Sequence, residues 1–183
     1  MINPDVLFGR LGNRMFQGAY LYSQMKDGNI PDIYPQDIRF FEKYQDDIKK
    51  WFGDGIGYLP YTAIHLRRGD YVNNQFYVDL AQTGYYIDAI KLFPNTKFLI
   101  FSDDVDFAKI YFEGDKFAFD ESADGVEVLN KMASCENQII ANSSLSWWAG
   151  FLCPHPEHKV VYPNLWFNDK IQRVTFPKEW IKI

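Results

Sequence analysis

The run His65-Leu66-Arg67-Arg68-Gly69-Asp70-Tyr71 sets two arginines and a carboxylate where an apolar stretch, PYTAIHL, stops. Apolar residues without interruption read as a buried strand, and alternation along it sends His65 and Arg67 to one side, Leu66 and Arg68 to the other. One guanidinium is thereby free to enter a cleft while its neighbour braces the loop. The planar fork of arginine matches phosphate oxygens, and a diphosphate offers several. The plainer alternative for Arg68 is a structural bridge to Asp70.

Three further stretches carry chemistry of the same kind. Ser102-Asp103-Asp104 ends another apolar run, KFLIFS. Adjacent carboxylates there repel and desolvate badly unless cations or N–H groups meet them, and an arginine of a neighbouring strand is the obvious partner. Asp104-Val-Asp106 also spells a D-x-D triplet of the kind that holds divalent metals, whereas an acid opening a helix serves equally as its N-cap. Asn142-Ser143-Ser144 follows the strand QIIA and opens a helix, where free N–H groups and hydroxyls make either an anion site or a simple cap. Gly9-Arg10-Leu11-Gly12-Asn13 lies between a strand-like DVLF and the helix-like NRMFQGAYLYSQM, with glycines that let the backbone approach a ligand.

These residues need a scaffold, and the rest of the chain supplies one. Strands are expected at 5–8, 61–66, 97–102, 116–119, 138–141 and 159–163. Helices are expected at 13–25, 38–52, 85–93, near 105–112, at 125–134 and at 144–152. Continuous apolar strands alternating with amphipathic helices make a parallel sheet covered on both faces, with ligands off the carboxyl ends of its strands. The break GDGIG at 53–57 divides an N-terminal segment, 1–57, from a Rossmann-like unit, 58–183. With 183 residues, 47% of them hydrophobic, the chain has ample material for such a core. A net charge of −5 argues against sequence-independent nucleic-acid binding. Cys135 and Cys153 read as buried reduced thiols, Trp147 and Trp148 as core or cleft wall. The N-terminus shows neither a signal segment nor a membrane span, so a cytoplasmic protein is expected.

Taken together and in order, GRLGNRMFQGAY, HLRRGDY, FSDD and NSSLSWWAGFL, closed by VVYPNLWF and FPKEW, resemble family 11 glycosyltransferases, the α-1,2-fucosyltransferases. The resemblance covers residues 7–20 and 64–180. It implies a GT-B-like fold, GDP-L-fucose as sugar donor, a glycan acceptor, inversion at the anomeric carbon and no metal. By similarity to the wider fucosyltransferase group, Arg67 would hold the diphosphate with Arg68 beside it, His65 would contact the nucleotide, and Asp70 would fix the arginine loop. Ser143 and Ser144 would add phosphate ligands, Asp103 or Asp104 would line the nucleotide pocket, Gly12 would allow close approach, and Asn13 would reach the fucose. The chain departs from the family at four points. The stretch between GRLGN and HLRRGDY is short, Val128 stands where an acid is expected (with Glu127 beside it), Arg14 replaces a glutamine, and Gln75 sits where some relatives carry a glutamate base. A GDP-sugar-binding protein without transferase activity and a metal-dependent transferase using Asp104 and Asp106 are the competing readings.

Overall fold

The structure is a computed structural model, which describes residue 7 and residues 9–27 and 37–183. The strand expected at 5–8 falls largely outside the described residues. Among the described residues, six parallel strands form one sheet: β1 (Leu59–Leu66), β2 (Phe98–Ser102), β3 (Phe117–Phe119), β4 (Cys135–Ile139), β5 (Val160–Tyr162) and β6 (Ile181–Lys182). Their order across the sheet is β3-β2-β1-β4-β5-β6. That is the arrangement of a doubly wound Rossmann-type sheet, in which strand order reverses between the first and fourth strands and opens a crevice there. The α/β parallel-sheet expectation holds.

Helices cover both faces because neither face of a strand such as Thr62–Leu66, buried throughout, tolerates water. On one face lie α3 (Tyr85–Lys91) and α4 (Val105–Tyr111), packed on Ile64, Leu66, Phe98 and Ile100. On the other lie α1 (Leu11–Lys26), α2 (Gln45–Phe52), α5 (Gly125–Ser134) and α6 (Ser144–Leu152), sharing a core with Ala63, Phe101 and Ile140. α6 is apolar all round, and every residue from Ser146 to Leu152 is buried, so it runs through the middle of this layer. Trp148 stacks on Phe41 at 5.7 Å and 11° and meets Phe16 and Phe52 edge-on. Trp147 and Trp148 are therefore core.

Two expected elements differ, and one strand lies beyond those expected. The single helix expected at 38–52 is two 3₁₀ turns, Ile38–Phe40 and Glu42–Tyr44, followed by α2. Phe41, at φ −135°, interrupts the run and packs its ring against both Phe16 and Trp148, while Phe40 packs onto Tyr20. The strand expected at 138–141 begins earlier, at Cys135, because α5 passes into β4 without a loop. The two-residue β6 is too short for a periodicity signal; its pairing with β5 defines it.

Candidate functional site

The carboxyl ends of β1 and β4 meet at the switch point, and a cavity of about 750 Å³ opens over them. It runs from the end of β3, at Asp120–Ala123, past Arg67 to the loop at Trp166-Phe167, and it is bordered on the near side by Gly9–Asn13.

Arg67 stands at its centre. One guanidinium nitrogen donates to Asp103 Oδ2 and the other terminal nitrogen to Asp70 Oδ1. Asp103 also accepts the Arg68 backbone N–H through Oδ1 at 2.8 Å, so one carboxylate fixes both the loop and the side chain. The expected carboxylate–arginine partnership is present. Behind Arg67 runs a column of rings: its guanidinium lies 5.1 Å from the Tyr71 ring, Tyr71 stacks on Tyr77 at 4.0 Å, and Phe167 follows at 5.7 Å under Arg173. The Asn168 amide ties this column down, donating to the carbonyls of Asn74, Gln75 and Tyr77. Sequence reasoning missed the column: Tyr71 and Tyr77 follow the arginine loop closely, but Phe167 and Arg173 join it from about 90 positions on.

Arg68 points to the opposite face. It pairs with Asp79 at 3.2 Å, lies 3.6 Å from Asp104, and covers the Phe107 ring at 3.6 Å. The Arg68–Asp70 bridge weighed from sequence does not form. The strand ends at Leu66 and the chain tightens into a 3₁₀ turn at Gly69–Tyr71, and Asp70 on that turn instead accepts from Arg67 and from Arg10, the latter at 3.2 Å. Arg68 therefore braces the loop and does not line the cavity. Asp104 N-caps α4 by accepting the Phe107 N–H at 3.1 Å, so its carboxylate is engaged by a helix end and a guanidinium. Among the described residues, no group of three or more His, Cys, Asp or Glu is placed to hold a metal.

His65 is buried at 5% exposure on the cavity floor, and its Nδ1 has no partner. Burial, acting with the nearby Arg67 charge against the pull of Asp103, pushes its pKa down to about 4. At neutral pH it is an uncharged imidazole whose nitrogen lacks a hydrogen bond, a costly arrangement that a bound polar ligand would relieve.

The N-terminus of α6 closes the other side. Ser143 occupies the N-cap position but makes no side-chain capping bond. Ser144 donates its hydroxyl to Asn13 Oδ1 at 2.9 Å. Asn142 is buried, and its amide donates to the carbonyls of Val78 and Trp166, so it serves as a strut. Asn13 sits in the first turn of α1, not in the preceding loop, so it is not that helix's cap. Gly12 is bare for a different reason from the one expected. A Cβ there would stand 2.5 Å from the Ser144 carbonyl carbon, and the glycine lets two helix starts abut. Both residues still border the cavity.

On the β3 side, Val128 lines the wall. Glu127 turns away to Lys131 and Ser122. Burial works to raise the Asp120 pKa, but bonds from Ser122 and Lys131 outweigh it and hold that carboxyl below its ordinary value. Cys135 and Cys153 are free and buried, and burial pushes the Cys135 thiol up to about 12.

The fold is that of Rossmann-type α/β proteins, with a crevice at the strand ends that an arginine and a helix N-terminus border. Within this class, the profile of glycosyl transferase family 11 matches residues 35–183, and the chain belongs to that family. Two curated relatives from Escherichia coli are similar to it. An alpha-1,2-colitosyltransferase is 29% identical over 175 residues, covering 81% of this chain and 60% of the relative. The O-antigen biosynthesis glycosyltransferase WbnK is 29% identical over 184 residues, covering 91% of this chain and 61% of the relative. The chain thus spans about three-fifths of the length of these relatives. No solved structure matches it with significance. Among the described residues, no helix is long and apolar enough to cross a membrane.

Proposed function

We propose that the protein is an inverting glycosyltransferase that moves L-fucose from GDP-L-fucose to a glycan hydroxyl, an α-1,2 transfer onto a β-galactoside, in the cytoplasm and without a metal. Residues 58–183 bind the sugar donor and residues 1–57 form the acceptor side. The observation that carries this reading is the convergence of Arg67, the unpartnered His65 Nδ1 and the uncapped start of α6 on one cavity at the switch point. In the transfer, the acceptor oxygen bonds to the anomeric carbon, the bond from that carbon to the phosphate oxygen breaks, and GDP leaves while the hydroxyl proton is released. Charge accumulates on the departing diphosphate, where a preset guanidinium and helix start stabilise it most. Asp70 holds two guanidinium groups, which makes it an organiser of the arginine loop.

A colitosyl donor is the second reading, favoured by the name of one relative. A GDP-sugar-binding protein without transferase activity is the third, favoured by the share of the relatives' length that the chain spans. The test is incubation with GDP-L-fucose or a GDP-colitose donor and a panel of β-galactosides, followed by assay of released GDP and glycosylated product. Product from GDP-L-fucose supports the first reading; product only from the colitosyl donor replaces it with the second. GDP binding without either product leaves the third.

A further inference from the structure

The charges at the cavity centre balance before any ligand arrives. Arg67 gives its two terminal nitrogens to Asp103 and Asp70, and Arg10 gives its own to Asp70, so two guanidinium groups face two carboxylates. A nucleoside diphosphate brings about two or three further negative charges to this neutral cluster. Arg67 alone cannot offset them while both carboxylates hold it, and Arg68 is pinned on the opposite face of the sheet.

Arg10 is differently placed. It borders the cavity with its side chain 68% exposed, and its pairing with Asp70 is an exposed contact at 3.2 Å. Exposed ion pairs contribute little, so exchanging that carboxylate for a phosphate costs little. Its backbone is nonetheless well located. Two positions on, Gly12 abuts the first turn of α6, which keeps Arg10 at the helix start that anions favour. The unpartnered, buried Nδ1 of His65 in the same cavity marks independently that a polar ligand belongs there.

We propose that Arg10 is a second phosphate-binding arginine, at rest on Asp70 and transferred to the diphosphate when the nucleotide enters. This rests on the GDP-sugar reading above and adds a residue to it. Asp70 then acts as a parking place: it keeps the side chain beside the cavity in the empty protein and gives it up to a ligand whose oxygens accept the whole fork.

Calorimetry on the full chain with GDP and with guanosine tests this, using Arg10→Ala, Arg10→Lys and Arg67→Ala. Arg10→Ala should weaken GDP binding about five- to thirtyfold, leave guanosine binding and melting temperature unchanged, and be partly rescued by Arg10→Lys. If Arg10→Ala binds GDP like the wild type while Arg67→Ala fails, Arg10 is only a surface ion-pair partner and the donor reading stands. Equal losses for GDP and guanosine would show a structural effect and overturn the proposal. If neither substitution alters GDP binding, the diphosphate reading falls with it.

Discussion

Arg67 and Arg68 are neighbours in the chain, yet they finish on opposite faces of the sheet and in opposite chemical settings. Arg67 stands over a cavity, with two carboxylates and a ring behind it and a face left toward the open space. Arg68 is closed in by Asp79, Asp104 and Phe107 and does not border the cavity. Their side chains are equally little exposed, at 12%. Burial does not distinguish a binding arginine from a structural one; what distinguishes them is whether the remaining surroundings are filled. The helices behind each arginine make the same contrast. The Arg67 side rests on a core crowded with aromatic residues from α1, α2 and α6, the Arg68 side on a smaller cluster under α3 and α4.

The largest effect should come from emptying the first of these cores. Trp148→Ala removes a fully buried indole packed against Phe16, Phe41 and Phe52, and should cost about 3–5 kcal/mol by urea denaturation. A loss below about 1 kcal/mol would mean that α6 can repack without its central ring.

Acid tests the cavity floor. His65 is neutral in the folded protein with a pKa near 4, whereas in the unfolded chain it titrates near 6.5. Below about 6.5 the unfolded state therefore binds a proton that the folded state refuses. Stability falls as pH drops from about 6.5 to about 4, by up to about 3 kcal/mol, and the loss levels off below that. Denaturation of His65→Gln across this range should remove that component of the slope. An unchanged slope would locate the acid sensitivity elsewhere.

The arginines themselves should separate in a crossed experiment. Arg68→Ala leaves Asp79 and Asp104 without their cation and should cost about 2–3 kcal/mol of stability, below the range for a fully buried pair because both carboxylates are partly exposed. Arg67→Ala should change stability less and GDP binding more, by about 1.5–3 kcal/mol or one to two decades in Kd, with Arg67→Lys recovering only part. Calorimetry and thermal melts on both variants check it, and the comparison collapses if the two substitutions give the same pattern. The smallest expected effect is none: EDTA should leave turnover unchanged. Loss of activity restored by Mn²⁺ would return Asp104 and Asp106 to the centre of the mechanism.

Much of this was legible in the chain. The parallel α/β alternation, the strand ends that carry the polar residues and the arginine facing the cleft follow from local apolar runs and from period-two alternation. What escaped were relations between distant residues. Nothing local to Asp79 pairs it with Arg68, and nothing local to Arg10 points to Asp70, 60 positions away. The helix expected at 38–52 failed at Phe41 because tertiary packing of one ring outweighed helical periodicity. The glycines of the Gly9–Asn13 stretch suggest close approach to a ligand, but the missing side chain of Gly12 answers first to Ser144.

That contact has a consequence for how the chain is made. The N-terminal segment is fastened to the remainder through partners more than 130 positions downstream: Asn13 with Ser144, the Ile38 N–H with Thr175 Oγ1, and Asp37 with the same threonine. During synthesis α1 can meet Phe41 early, but Trp147 and Trp148, which also pack on Phe16, come only once α6 exists. Contacts of such sequence separation come late in folding and slow it, and apolar surface left uncovered meanwhile invites association. The same seam that sets Asn13 against the start of α6 therefore makes α1 one of the last elements to reach its final packing.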